Sequence, residues 1–494
     1  MPLVFLLYLS SLGAQLSCLL VASAPSILVT VHAGKMPALP QFLALQTQVD
    51  PRALEYFRKG EALIGTAKEY SDEQQLYFAK AVEIAPSFAP ARHNLAVVYL
   101  KRGKLDEALV QLQELLKIDP KNVSAHLLRA DIWVQKQDLD HAAEELEEVL
   151  SIQPEKLDVI EQLGNIRVRQ KRYAEAVPLL QKAASGPDSP PELHFNLGLA
   201  LESLGQKDEA LSSYLQFLKR VPDDPQGNLA AGLLLKEKGN RQEAVNHLLK
   251  AYNPKQPDPA IAEEIGNLYL DLGNPEEGRK YLAQANTDSP ITLANMGIAA
   301  ERQKQYPQAE AQFRAALAKD PGNAEIWAHL GDVLAAQKKD DEALQAYLKA
   351  RELKPDNFDN LFNLGSVYAN LGRNQDAQKA FEQALKIDGK SGRAHLYLAV
   401  VLDRQDLGTA ARNHYLAALA NGADEPQAHF RLAVLFSRDG IPDAALKHLT
   451  IAFERQADKY VPMVVDELKN VHSDLDAIRY TKAFADLLAK YQRR

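Results

Sequence analysis

Several residue groupings in this chain have the right types for chemistry, and their spacing argues against each. Ala384-x4-Gly389-Lys390-Ser391 fits a loose phosphate-loop pattern. Such a loop needs a strand before it and glycine-rich backbone whose amides cradle phosphates. Here Ala384 falls mid-helix in the apolar pattern, and Gly389 stands where proline usually ends that helix. His126, His194, His395 and His429 all occupy the register position that Trp327 takes in its own segment. That makes them packing residues, spaced too widely for most of them to meet on one metal. His-Glu-x-x-His, Gly-x-Ser-x-Gly and Gly-x-Gly-x-x-Gly are all absent from the chain. The run Glu144-Glu145 with Glu147-Glu148 reads as a solvated helix face. The one cysteine, Cys18, rules out a disulfide framework and a thiolate zinc site. The expectation is a non-enzyme with no catalytic residue, no cofactor-binding residue and no metal ligand.

The elements that would position any site are legible from a long period. Ala108, Ala142, Ala176, Ala210 and Ala244 recur every 34 residues, followed by Gly278; after one shortened step the series resumes at Ala309 and runs through Ala343, Ala377, Ala411 and Ala445. A second small-residue series precedes it by twelve positions: Ala96, Ala130, Gly164, Gly198, Gly232, Gly266, Gly297, Gly331, Gly365, Ala399 and Ala433. The two series place small side chains where neighbouring helices of one hairpin cross, since axes about 8 Å apart leave no room for large ones. Tyr214, Phe313, Tyr347, Phe381 and Tyr415 lie four residues after the later series, on the same buried face. Gly103, Gly205, Gly239, Gly273, Gly372 and Gly440 fall between the paired helices. Pro86, Pro120, Pro154, Pro222, Pro321 and Pro355 fall where the second helix must stop.

In its cleanest segment, Ala324–Asn357, the chain reads W-x2-L-G-x11-A-x3-Y-x2-A-x4-P. This resembles the tetratricopeptide repeat family, in a bacterial-type multi-repeat form with a signal-like N-terminal segment. The fold the resemblance implies is all-α: a right-handed superhelical α-solenoid of about twelve helix-turn-helix repeats with a C-terminal helical cap. Repeat starts fall near Ala53, Ala89, Val123, Leu157, Pro191, Pro225, Pro259, Pro290, Ala324, Phe358, Gly392 and Pro426. The repeat from Pro259 is short, losing part of its last turn. The expected organisation is 1–35 signal peptide or membrane anchor, 36–52 linker, 53–456 repeat array and 457–494 cap, with Val464, Leu468 and Val471, then Phe484, Leu487 and Leu488, on the apolar faces of the cap. The tail from Lys490 to Arg494 reads as a solvated end.

From Leu3 to Val31 the chain carries no acidic or basic side chain. That suits a long signal sequence cut before Gly34, giving an exported protein, periplasmic or extracellular. It also suits a membrane anchor, whose flanking Lys35, Arg52, Arg58 and Lys59 would keep the array in the cytoplasm, or a start misassigned upstream of Met36. Membrane contact is expected only through residues 3–31, if they are retained. The net charge of −8 leaves no electrostatic footprint for nucleic acid.

Function is then expected in the groove. In the family it resembles, the second, fifth, sixth, ninth and twelfth positions of each repeat face the concave side. The sixth position holds Asn94, Asn196, Asn295 and Asn363, with Gln162 and His329; the ninth holds Asn165 and Asn267, with Asp131 and Asp332. A row of carboxamides, each both donor and acceptor, can bind the backbone of an extended peptide. It is similar to the asparagine ladder of O-linked N-acetylglucosamine transferases, interrupted here by Leu128, Ala230, Glu264, Tyr397 and Arg431. Two apolar patches are expected beside it: Phe195, Leu199, Leu229 and Leu233, and Phe362, Leu396, Val400, Phe430 and Val434. Phe195→Ala with Leu229→Ala is expected to weaken binding with little loss of helicity. Glu161 before Asn165 and Glu263 before Asn267 have the wrong charge for the carboxylate clamp of chaperone-binding relatives. The reading is a non-enzymatic protein-protein scaffold that takes a polypeptide in this groove, with envelope assembly or secretion as its setting and no small-molecule substrate. The alternatives are a cytoplasmic or membrane-tethered regulatory subunit of an enzyme, and a glycan-handling accessory protein.

Overall fold

A computed structural model describes residues 49–186, 189–470 and 472–492. The leader and most of the linker lie outside the described residues, as do Val471, Arg493 and Arg494. Every regular element among the described residues is a helix. The chain divides into two compact units, one through Asn253 and one from Pro254.

The N-terminal unit is six antiparallel hairpins. They are α1–α2 (Pro51–Glu61, Asp72–Ile84), α3–α4 (Ala89–Lys101, Leu105–Ile118), α5–α6 (Val123–Gln135, Leu139–Ile152), α7–α8 (Leu157–Arg169, Tyr173–Ala184), α9–α10 (Pro191–Ser203, Lys207–Arg220) and α11–α12 (Pro225–Glu237, Arg241–Ala251). The C-terminal unit holds six more: α13–α14 (Pro259–Asp271, Pro275–Leu282), α15–α16 (Pro290–Arg302, Tyr306–Lys319), α17–α18 (Ala324–Ala336, Asp340–Leu353), α19–α20 (Phe358–Asn370, Asn374–Ile387), α21–α22 (Gly392–Arg404, Gly408–Ala420) and α23–α24 (Pro426–Arg438, Pro442–Glu467). Short helices α25 (Asp476–Arg479) and α26 (Lys482–Gln492) follow. The shortened repeat is visible in α14, which has 8 residues.

Local chemistry starts and stops these helices. Asp224, Asp258, Ser289, Asn323, Asn357 and Ser391 cap the first helices of their repeats, each accepting a backbone N–H from the first turn. Pro225, Pro259, Pro290 and Pro426 sit just inside those starts, where the missing N–H costs nothing. Ser391 is thus a helix cap after a helix, which disposes of the phosphate-loop pattern. From α3 onward, each first helix is followed by a left-handed residue. Glycine supplies it at Gly372 (φ 71°), whereas Gln137, Lys171, Lys304, Lys338 and Asp406 adopt φ of 58–62° at the same repeat position. The turn therefore does not depend on glycine: Lys339 N–H donates back to Leu334 O at 3.0 Å and closes the helix end.

Small residues are required where a ring lies across the facing helix. A Cβ added at Gly331 would stand 2.7 Å from the Tyr347 ring, and one at Gly198 would stand 2.7 Å from Tyr214. Tyr214, Phe313, Tyr347, Phe381 and Tyr415 are all essentially inaccessible. The last repeat passes into the cap through a break in helical geometry at Gln456. Beyond it Tyr460, Val464, Ile478 and Phe484 pack on Leu449 and Phe453, with Leu468, Leu487 and Leu488 partly buried around them. Tyr491 is not solvated as its tail position suggests: its ring meets Phe453 edge-on at 5.7 Å. No helix among the described residues is long and apolar enough to cross a membrane.

Candidate functional site

First helices of successive repeats lie side by side within each unit, α7 against α9 and α15 through α21 in turn. Their second, fifth, sixth, ninth and twelfth positions therefore share one face, the face on which the groove residues are expected.

The asparagines on this face are spent on one another. Asn196 Nδ2 donates to Asn165 Oδ1 at 2.8 Å, and Asn295 Nδ2 donates to Asn267 Oδ1 at 2.8 Å. Asn363 Nδ2 donates to Asp332 Oδ1 at 2.8 Å. The sixth position of one repeat thus binds the ninth of the repeat before it. Asn94 differs: its carboxamide nitrogen is buried and has no partner. Charged pairs run instead from the sixth position to the twelfth of the repeat before it. Arg431 Nε meets Asp403 Oδ2 at 2.5 Å, and His329 Nδ1 stands 3.2 Å from Glu301 Oε2. Burial raises the Asp332 carboxyl, against the pull of the Tyr347 hydroxyl that donates to it. Burial likewise raises Glu202, which accepts from Tyr214 at 2.7 Å. The pairs between repeats stitch neighbours together, and each paired carboxamide keeps only its remaining hydrogen-bonding capacity for a ligand.

The two apolar patches have different fates. Phe195, Leu199 and Leu229 are buried, and only Leu233 is half-exposed. Phe195 turns inward between Tyr214 and Phe217, with ring centroids 5.6 and 5.3 Å away. The expectation of an exposed patch there is corrected by that packing: the rings of the second helix reach across and fill the space. In the second patch Phe362, Phe430 and Val434 are also buried, but Leu396 and Val400 are only half-buried.

Around Leu396 and Val400 the face carries a hollow of about 650 Å³. Its walls include Ser366 and Asn370 from α19, Arg393, Tyr397 and Arg404 from α21, and Gln427 from α23. A second hollow of about 370 Å³ shares Val400, Arg404 and Gln427 with it and reaches Phe430, Lys459 and Met463. Tyr397 is 43% exposed and rests edge-on against Phe362 at 5.1 Å. Met463 is 47% exposed. Arg393 lies flat over Phe362, its guanidinium carbon 3.9 Å from the ring centroid. Arg404 donates to the Ala369 carbonyl at 3.1 Å. Arg393, Arg404 and Lys459 form none of the ion pairs found among the described residues, whereas Arg431 is neutralised by Asp403. Leu396, Val400, Tyr397, Arg393 and Arg404 thus line the first hollow, with Glu425 beside them, and Lys459 lines the second. Sequence reasoning had Leu396 and Val400, but treated Tyr397 only as a gap in the asparagine ladder. Arg393 occupies the second position, a groove position by the same rule, so it was there to be found.

Two histidines of the Trp327 slot act as latches, as Trp327 does. His126 Nε2, His395 Nε2 and Trp327 Nε1 each reach the carbonyl six residues earlier, of Pro120, Gly389 and Pro321. Two histidines of the same slot gain a second histidine nineteen residues on. His395 and His414 are hydrogen-bonded through Nδ1 atoms 2.9 Å apart, and His429 and His448 through Nδ1 atoms 2.8 Å apart. Burial, then the His429 ring and the Lys447 charge, push His448 down to about 4. Elsewhere Glu301, His329 and Asp332 come together with one ligating atom each within 4.8 Å of the others.

These features fit family models over three stretches. Residues 219–434 match the C-terminal domain of cilia and flagella-associated protein 70, residues 123–219 match the fifth ARM repeats domain of TT21, and residues 75–132 match the tetratricopeptide repeat. No curated protein matches the chain. Among solved structures it is similar to YrrB, described as a TPR protein with an unusual peptide-binding site, at 28% identity over 35% of this chain and 90% of that one, with a TM-score of 0.33. It is also similar to Pseudomonas aeruginosa pilF, at 22% identity over 47% of this chain and 100% of that one, with a TM-score of 0.38. A third is the Naa15/Naa10 structure bound to HypK-THB, at 14% identity over 90% of this chain and 80% of that one, with a TM-score of 0.38.

Repeated helical hairpins on a 34-residue period, with first helices sharing one face within each unit, are the architecture of an α-solenoid. The chain is a tetratricopeptide-repeat protein. Families of this fold are generally non-catalytic protein-binding scaffolds, and no enzymatic family is indicated by the matches.

Proposed function

We propose that the protein holds an acidic, extended polypeptide on the first-helix face of its C-terminal unit, with one apolar side chain of the ligand seated among Leu396, Tyr397 and Val400. The observation that supports this is the hollow at those residues, walled by Arg393 and Arg404, with Lys459 in the adjoining hollow, none of the three in an ion pair with a carboxylate. An uncompensated cation on a half-buried apolar surface loses hydration and gains it back from a ligand anion. Tyrosine and arginine are the residue types that carry most binding energy at interfaces. The paired asparagines keep the face in register while the hollow does the recognising.

The test is fluorescence anisotropy with labelled acidic peptides carrying a central Phe or Leu, chosen from a peptide array probed with the full chain. Arg393→Glu combined with Arg404→Glu is expected to weaken binding at least tenfold, about 1.4 kcal/mol, with an unchanged unfolding midpoint. Equal binding by the charge-reversed variant would sink the proposal.

We infer in addition that residues 1–35 direct export and that the scaffold serves envelope assembly or secretion. Its support is the uncharged stretch from Leu3 to Val31, which lies outside the described residues. N-terminal sequencing of the purified protein decides: a start at Gly34 supports export, and an intact Met1 removes it.

A further inference from the structure

We propose that Glu301, His329 and Asp332 form a binding site for one divalent cation of the Zn²⁺ class in the C-terminal unit. His329 and Asp332 are three residues apart on α17 and so share one face of that helix. Glu301 comes from the last turn of α15, in the preceding repeat. One ligating atom from each lies within 4.8 Å of the other two. His329 Nδ1 already stands 3.2 Å from Glu301 Oε2. Bonds of about 2.0–2.2 Å to nitrogen and oxygen set the edge of a tetrahedral site near 3.4 Å. The histidine and glutamate are therefore at ligand spacing, and rotation of the carboxylates closes the remaining gap.

The surroundings orient these ligands. Asp332 Oδ1 accepts from the Tyr347 hydroxyl at 2.5 Å and from Asn363 Nδ2 at 2.8 Å, which leaves Oδ2 for the ion. The His329 ring stacks on Phe313, at 5.5 Å between centroids and 11° between planes. Outer partners of this kind are what hold imidazole and carboxylate ligands in place around a metal. All three ligands are half-buried, so the ion would be partly dehydrated yet reachable. One imidazole and two carboxylates suit zinc and its first-row neighbours, while Ca²⁺ and Mg²⁺ take all-oxygen shells. Two carboxylate charges balance the ion. Three protein ligands leave a coordination position open on the first-helix face, for water or for a donor atom of a bound polypeptide. The rival account is a plain His329–Glu301 ion pair, with Asp332 serving only as acceptor from Tyr347 and Asn363.

The experiment is calorimetric titration of the full chain with Zn²⁺, paralleled by Co²⁺ followed through its visible absorption. One equivalent bound, with a d–d band from Co²⁺, is expected. Glu301→Gln and His329→Gln are each expected to weaken Zn²⁺ at least tenfold and to abolish the Co²⁺ band, and Tyr347→Phe to weaken it less. Glu301→Gln is the conservative variant, and its circular dichroism confirms that the fold is intact. Zn²⁺ binding that persists unchanged in Glu301→Gln, as binding at the histidine pairs would, overturns the site, and so does the absence of stoichiometric binding by the parent chain.

Discussion

Phe195 in the N-terminal unit and Tyr397 in the C-terminal unit sit on equivalent faces, one position apart in their repeats, yet Phe195 is 5% exposed and Tyr397 is 43% exposed. What separates them is the second helix. In α10, Tyr214 and Phe217 both reach Phe195 and close over it. In the C-terminal unit Phe362 takes the place of Phe195 and is buried in the same way, against Phe381 at 5.5 Å. Tyr397 then rests on the outside of that filled core, with Arg393 laid across the same ring. An aromatic at the fifth position is thus structural in both units. An aromatic at the sixth position, where other repeats place asparagine, becomes surface.

The largest expected effect breaks or confirms this contrast directly. Phe195→Ala should destabilise the N-terminal unit by about 3–5 kcal/mol, as loss of a buried phenylalanine does, whereas Tyr397→Ala should cost under about 1 kcal/mol and show itself in peptide binding. Urea unfolding of both variants measures the first, and peptide anisotropy the second. This reverses what sequence reading expects of Phe195 and Leu229. Next in size, Gly198→Ala and Gly365→Ala should each cost about 1–3 kcal/mol, since the added methyl group meets the Tyr214 or Phe381 ring well inside contact distance. Equal costs would show that the two units share one scaffold and differ only at the surface. Asn196→Ala should cost about 1–3 kcal/mol by leaving buried Asn165 without its donor. If peptide affinity falls instead and stability holds, the ladder is a ligand surface after all.

The smallest effect is the part of the pH dependence that the histidine pairs of the C-terminal unit contribute. His448 titrates at about 4 in the fold, below the ordinary 6.5 that it has when unfolded, and burial lowers His414 as well. Between those values the unfolded chain binds a proton that the folded chain refuses, so stability falls as pH drops from about 6.5 towards 4. His448→Gln should flatten that slope in thermal melts between pH 6.5 and 5, and a slope unchanged by the substitution would show that His448 does not set it.

Nearly all of the fold was legible. Helix starts at Ala89, Val123, Leu157, Pro191, Pro225, Pro259, Pro290, Ala324, Phe358, Gly392 and Pro426 fall where the period places them, because small residues must recur wherever two helices cross. The site was less legible. Leu396 and Val400 were named for it, but Phe195, Leu199 and Leu229 were named with them and turned out to be core. A period tells which residues share a face without telling how far a neighbouring ring reaches over that face.

The amino-acid sequence alone determines the repeat, its helix boundaries and its crossings, since these depend on contacts within about 34 residues and on side-chain size. Only the tertiary structure decided which polar groups pair between repeats, as Asn196 does with Asn165, and which cations stay out of ion pairs, as Arg393 and Arg404 do. Those outcomes depend on distances between side chains of adjacent repeats, and a hydrogen bond is made or lost within an ångström that no spacing rule resolves.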